Sequence, residues 1–393
     1  MGDSRTESLY YDNPLLDDTE ATIVRIGGEG REIELDRTLF YPEGGGQPCD
    51  LGEIGGVALE SVSESAGSIV HRLSAPLDAV SGGKVRLRLD RPRRIDHTEQ
   101  HSAQHLLSGF LYRDHGIATL SFHLGTDRST IDVDAPEFPD SLRDDVESRV
   151  NAAVAEGWSF VLHVCPPENL RSLPLRRLPP ENQATIRVWE IAGLDFSPCC
   201  GTHVASAAEL RLIKIHASER YKGKIRIHFS AGGRAVEAYR RLDRAAGDAA
   251  RLLSVSPEEL PAGAERLSRK SRESAARADR LLEMLVGTLV EAGAAGVPLA
   301  LDLSGTGAAG IEEGMRNLKA RGRAGVVSVS ETATVVVVGE GGIDLPASLV
   351  ERMKSLGGRG GGPAGSLRAT FKNAPDAGRF AAEALEMLGN VEK

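Results

Sequence analysis

Apolar and polar residues alternate through much of the first ninety positions. Residues 22–41, TIVRIGGEGREIELDRTLFY, alternate on either side of a Gly-Gly turn, as the arms of a β-hairpin do. Residues 55–73, GGVALESVSESAGSIVHRL, and 83–90, GKVRLRLD, alternate again, and the glycine-rich loop FYPEGGGQPCDLG (40–52) lies among them. The spacing then changes. A helix is predicted to start at Asp96, which has capping-box spacing to Glu99, and to run to Tyr112. SFHLGTDRSTIDVD predicts another hairpin, DSLRDDVESRVNAAVAEG an amphipathic helix, and TIRVWEIAG a strand. DFSPCCGTHVAS follows as a loop, and ELRLIKIHASERYKGKIRIHFSAG supplies two more strands. Residues 171–180 read as a connector containing proline and arginine.

After Gly233 the composition shifts to alanine, arginine and leucine. Residues 235–254 predict one helix, and Ser256, Pro257 and Glu259 start a second that carries Leu267, Leu281, Leu282, Leu285 and Leu289. The pair predicts a helical hairpin or a short coiled coil. Beyond residue 297, the strands VPLALDL, AGVVSVS and TATVVVVG alternate with helical segments, as in a small α/β domain. The expected fold class is α+β, in four parts. Residues 1–90 form a β-barrel-like domain with the GGGQ loop, and 91–233 an α/β domain. Residues 234–296 form the helical hairpin, and 297–393 the C-terminal α/β domain.

Composition narrows the class. No apolar run approaches the roughly 20 residues that span a membrane. The acidic N-terminus lacks the apolar core of a secretory signal, and the four cysteines include an adjacent pair, Cys199 and Cys200. A reducing, cytoplasmic compartment without membrane partners is the expectation. The net charge of -9 opposes general nucleic-acid binding, yet residues 84–96 carry six bases against two acids and residues 211–241 nine against two. These two stretches suit a polyanion or, equally, two solvated faces. Their candidate contacts for a polyanion are Arg91, Arg93, Arg94, Lys222, Lys224 and Arg226.

Residues 97–109, HTEQHSAQHLLSG, place His97, His101 and His105 four apart on one helix face. Two imidazoles one turn apart converge on one ion, whereas residues eight apart are separated by about 12 Å along the axis. One pair binds, and His101 belongs to both pairs. Cys199-Cys200-Gly201-Thr202-His203 offers a thiolate and an imidazole in a compact loop. Two histidines on a helix with a cysteine and a histidine on a loop make a four-ligand set that zinc accepts. Thr98 and Ser102 follow His97 and His101, so the HExxH arrangement of metalloproteases is absent.

HSAQHLL, CCGTHV and FYPEGGGQPCDLG, in their order here, resemble the editing domain of alanyl-tRNA synthetase and its free-standing AlaX relatives. VWEIAGLDFSPCCGTHV and KGKIRIHFSAGGRA fit the same family, and the likeness covers residues 20–235. The C-terminal part, with GGRGGG at 357–362, resembles the DHHA1 domain of the long AlaX form. The resemblance implies His101, His105, Cys199 and His203 as ligands of a zinc ion, and leaves His97 outside. Cys200 stands where the family usually has glycine. The resemblance also implies Thr38 and Gln47 as catalytic-site residues. Thr38 would read the hydroxyl of serine, and Gly44, Gly45, Gly46, Arg91, Arg93 and Arg94 would bind substrate. Under the resemblance the six candidate polyanion contacts become RNA contacts.

The chain has no segment that fits a class II aminoacylation core, so a free-standing factor is expected. It would hydrolyse the ester of tRNA(Ala) mischarged with serine or glycine, as an aminoacyl-tRNA deacylase. The alternative is a tRNA-binding protein whose zinc is purely structural. The family's C-terminal domain binds the tRNA body or dimerises, so a homodimer through that domain is a further expectation.

Overall fold

The alternation of the first ninety residues closes into a barrel. The structure is a computed structural model that describes residues 6–65, 68–167, 170, 173–176 and 185–390. Six strands pair in the order Asp18–Gly27, Glu32–Leu35, Ser68–Leu73, Val57–Ser65, Gly52–Ile54 and Lys84–Leu89, and the last returns to the first. Every pairing is antiparallel. Along Lys84–Leu89, Val85, Leu87 and Leu89 are buried while Lys84, Arg86 and Arg88 are exposed, the period of two that a half-buried strand needs. Closure removes the unpaired edges that would otherwise invite association. The exposed arginines meet carboxylates of neighbouring strands: Arg86 pairs with Asp18 at 2.9 Å, and Arg88 lies 3.9 Å from Asp18 and from Glu53. That half of the first basic stretch is therefore largely neutralised.

The long helix Arg91–His115 starts five residues before the expected Asp96. Asp90 is its N-cap, accepting from the Arg93 amide, and Pro92 sits in the first turn, where its missing N–H costs nothing. Asp96 instead pairs with Arg234. Gly116, with φ 65, ends the helix in the left-handed conformation. Residues 99–111 are all buried. Leu106, Leu107, Phe110 and Leu111 enter a core shared with helix Asp140–Glu156 and a four-stranded sheet ordered Ile213–Tyr221, Lys224–Ala231, Ser129–Val133, Thr119–Leu124. A three-stranded sheet, Phe160–Cys165, Ile186–Ile191 and Asp195–Pro198, adds Phe160 and Ile191 to that core, and the turn before its last strand adds Leu194. Most of the 171–180 connector lies outside the described residues.

The chain divides into two compact units, Met1–Ala246 and Gly247–Lys393, and helix Gly232–Leu253 spans the division. In the second unit a five-stranded sheet runs in the order Leu299–Asp302, Gly325–Val329, Thr334–Val338, Ser366–Thr370, Arg359–Gly361. Only its first pair is parallel. Thr334–Val338 is buried throughout: Val335 and Val337 join one core, Val336 and Val338 the other. Helix packing on both faces explains its unbroken apolar run. Helix Leu260–Ala292 contributes Val286 and Val290 to the second of these cores. Among the described residues no helix is long and apolar enough to cross a membrane.

Candidate metal centre and adjoining cavity

Burial of the helix Arg91–His115 sets the problem of its polar side chains, each of which needs a partner. Gln100 solves it with both backbone groups of Ala231. His101 and His105, one turn apart, solve it by meeting the loop after strand Asp195–Pro198. One ligand atom from each of His101, His105, Cys199 and His203 lies within 4.8 Å of the others, a group able to hold a metal ion. His97 is left out of the group, although its ring is buried and burial lowers its pKa to about 4.

The geometry suits a tetrahedral ion. Zn–N bonds of about 2.0–2.1 Å and a Zn–S bond of about 2.3 Å place neighbouring ligand atoms roughly 3.3–3.6 Å apart. Cys199 Sγ lies 3.4 Å from Nε2 of His101 and 3.4 Å from Nε2 of His203. The far nitrogens face outward. Nδ1 of His101 is 2.8 Å from Gln47 Oε1, which can only accept, so Nδ1 carries the proton and Nε2 the lone pair. Nδ1 of His203 is 3.2 Å from Ser102 Oγ, and Nδ1 of His105 is 3.5 Å from Asp195 Oδ2. Arg176 grips that carboxylate with two bonds, at 2.7 and 3.0 Å.

Electrostatics agree with a cation site. Burial lowers the pKa values of His101, His105 and His203, keeping the imidazoles neutral, as ligands must be. Burial also pushes the Cys199 thiol up to about 12. A thiolate there needs a nearby positive charge, which a coordinated cation supplies. Gly201 is required sterically, because a Cβ on it would sit 2.2 Å from Cε1 of His101.

The GGGQ loop serves this cluster directly. Gly44 and Gln47 exchange backbone hydrogen bonds at 3.1 and 3.0 Å, and Gly45 and Gly46 between them have φ of 56 and 84. Positive φ at both central residues is what a tight hairpin turn demands of glycine. A Cβ on Gly46 would also strike the Phe122 ring at 2.7 Å. The turn delivers Gln47, fully buried, to His101 and to Thr202, whose amide donates to Oε1 at 3.2 Å and whose hydroxyl accepts from Nε2 at 3.0 Å. Thr38 is held elsewhere. It is buried, with its hydroxyl 2.8 Å from Nε2 of His71 and accepting from the Phe40 amide at 3.1 Å.

A cavity of about 750 Å³ adjoins the centre. His203, Gly201 and Thr202 line it, with Phe160 and Trp189 packed against His203 and Tyr11 from the N-terminal segment. Thr98 lines it too, its hydroxyl 2.7 Å from that of Thr202. Of the expected RNA contacts, Arg91 lines the cavity, 3.4 Å from Asp17, and Arg93 donates to the Cys49 carbonyl. Arg94 is buried and committed to Asp50 and to the carbonyls of Pro14 and Leu39. Lys222 and Lys224 are exposed at a hairpin tip, whereas Arg226 is paired with Asp132. Sequence reasoning did not single out Asp195, Ser102, Thr98, Arg187 or Trp189. Arg187 carried a signal, a cation between Ile186 and Val188 in a strand.

Residues 186–228 match the family described as "Threonyl and Alanyl tRNA synthetase second additional domain". The chain is 32% identical to the alanyl-tRNA editing protein AlaX-L of Pyrococcus horikoshii, over 71% of this chain and 70% of the relative. It is 34% identical to the alanyl-tRNA editing protein Aarsd1 of Danio rerio, over 53% of this chain and 51% of the relative. Identity to the alanine–tRNA ligase of Pyrococcus abyssi is 30%, over 91% of this chain and 41% of the ligase. The chain thus spans about half the length of the vertebrate editing proteins it matches.

Proposed function

The chain belongs to the family of alanyl-tRNA editing proteins, and on that premise we propose that it is a zinc-dependent aminoacyl-tRNA deacylase. Its substrate in this reading is tRNA(Ala) mischarged with serine, and also with glycine. One observation carries the reading: His203 belongs both to the four-ligand group and to the wall of the cavity. A reacting ester in that cavity would lie beside the metal.

Zinc held by His101, His105, Cys199 and His203 would supply Lewis acidity to the ester carbonyl. The chain's own groups do the remaining work. Gln47 and Ser102 hold His101 and His203 by their Nδ1 atoms with Nε2 toward Cys199, and Asp195 lies 3.5 Å from Nδ1 of His105. Gln47 is thus a positioning residue. Thr98 places a hydroxyl on the cavity wall, where the hydroxyl of serine finds a partner and alanine offers none, while the Thr202 hydroxyl beside it is already bonded to Gln47 and Thr98. Thr38, expected to read that hydroxyl, is already committed to His71 and Phe40. Arg91 and the exposed lysines Lys222 and Lys224 supply cationic contacts for RNA.

Convergence of all four protein ligands also favours a second reading, a tRNA-binding protein with a structural zinc, since a closed site leaves no position for substrate. Incubation with Ser-, Gly- and Ala-tRNA(Ala), with zinc content measured in parallel, separates the two. The deacylase cleaves the serine and glycine esters and spares alanine. Cys199→Ala should slow cleavage about 1000-fold, the loss of roughly 4 kcal/mol of transition-state stabilisation. Protection of all three esters by the zinc-loaded protein would establish the binder, and equal cleavage of all three would end the editing assignment.

A further inference from the structure

The cavity beside the metal centre is lined by five acidic or basic side chains, and four have partners. Arg211 pairs with Glu99, Glu209 accepts from the amides of Ala205 and Ser206, and Arg91 lies 3.4 Å from Asp17. The fifth, Arg187, makes no ion pair among the described residues, and its Nε is buried without a hydrogen-bond partner. Its guanidinium carbon lies over the Tyr11 ring, 3.8 Å from the centroid. Strand geometry fixes where it faces. Along Ile186–Ile191, Ile186 and Val188 are buried in one direction while Arg187 and Trp189, two apart, line the cavity in the other. Trp189 packs on His203 at 4.8 Å between ring centroids, and the Arg187 carbonyl accepts from the Cys199 amide at 3.1 Å. A guanidinium in the same cavity wall as a metal ligand, with its Nε buried and no carboxylate paired with it among the described residues, is costly unless an anion reaches it.

Resting on the deacylase reading, we infer that Arg187, held on the Tyr11 ring, binds a phosphodiester of the single-stranded 3′ end of the tRNA and so positions the terminal nucleotide in the cavity. Arginine suits this task because its planar fork meets two phosphate oxygens at once. The Tyr11 ring under one face pre-orders the fork, so less side-chain freedom is lost on binding. A purely structural stack on Tyr11 would not need the opening to the cavity. Arg187 touches RNA rather than the reacting ester, so its loss should raise KM and leave kcat within about twofold.

Binding of deacylated tRNA(Ala) by the full-length protein is measured as a function of salt, beside the same tRNA stripped of its 3′-terminal nucleotides. Arg187→Gln should weaken binding of the intact tRNA about 10- to 100-fold, as removal of a charged hydrogen bond does. It should also reduce the slope of log affinity against log salt by about 0.7, the share of one single-strand phosphate. The stripped tRNA should bind wild type and variant alike. Arg187→Lys keeps the charge and loses the fork, and should recover part of the affinity. If Arg187→Gln does not fold, Arg187→Lys alone decides: unchanged affinity and an unchanged KM for Ser-tRNA(Ala) overturn the inference. Equal weakening on intact and stripped tRNA likewise overturns it. A wild type that binds but cleaves no ester would instead remove the deacylase reading and leave the Arg187 result standing.

Discussion

Two long helices divide the molecule's strategies. Helix Arg91–His115 has 25 residues and helix Leu260–Ala292 has 33. The first is buried throughout 99–111, although that stretch includes Glu99, Gln100, His101, Ser102, Gln104, His105 and Ser108. The second is exposed on every side from 264 to 281, and the side chains it gives to its own unit's core, Leu282, Val286 and Val290, lie near its end. Hydrophobicity alone would assign burial the other way for much of their length. Polar burial is tolerated where groups find partners, and in the first helix Gln100, His101 and Ser102 find them in three distant segments, the GGGQ turn, the Cys-His loop and strand Lys224–Ala231, while Nδ1 of His97 and of His105 have no hydrogen-bond partner among the described residues. A helix built into such a network fixes a site, while one bathed in water connects.

The comparison breaks most sharply at Arg94. Its guanidinium is 1% exposed, and removing it leaves the Asp50 carboxylate, 0% exposed, without its cation. Arg94→Ala should destabilise the first unit by about 3–5 kcal/mol, read as a lower urea midpoint. A change under 1 kcal/mol would mean that the histidine helix is not held by its first turns. The same burial withdraws Arg94 from the RNA contacts expected of it.

Much of this was legible in residue patterns. The hairpins at 22–35 and 119–133 follow alternation, and the four metal-binding candidates follow spacing and resemblance. The start of the histidine helix was misplaced because Asp96 and Glu99 imitate a capping box, while Asp90 and Pro92, the actual start, stand within a basic run. The strands Arg359–Gly361 and Ser366–Thr370 hid inside a glycine-rich segment, because sheet pairing there is imposed by the neighbouring strand Thr334–Val338. Arg187, Asp195 and Ser102 could not be found by spacing, since their roles depend on which side chains the fold brings opposite them.

The barrel interior sharpens the comparison through pH. Burial lowers the pKa of His71 from its ordinary value of 6.5 to about 4. The unfolded chain therefore binds the proton first on acidification. The stability this residue contributes is whole above pH 6.5 and is lost as pH falls toward 4, by roughly 3 kcal/mol. Unfolding free energies of wild type and His71→Gln, each measured at pH 7 and pH 4.5, isolate that residue from the buried metal-centre histidines. The wild type should lose more stability than the variant. Equal losses would mean that water reaches the Thr38–His71 pair, and would return Thr38 to the substrate's surroundings.

The smallest effect belongs to the exposed helix. Leu281 is 55% exposed, so Leu281→Ala should change stability by less than about 0.5 kcal/mol. Val286, five residues on and 0% exposed, is the matched control: Val286→Ala removes buried methyl groups and should cost about 2 kcal/mol. The contrast also tests the homodimer expected of the C-terminal region. A second copy seated on the Leu281 face would make the Leu281→Ala loss large and dependent on protein concentration, because a residue buried only in the dimer stabilises by mass action. A small loss that is the same at every concentration assigns the stretch 264–281 to solvent, and marks it as the segment where polar substitutions are tolerated and the histidine helix's are not.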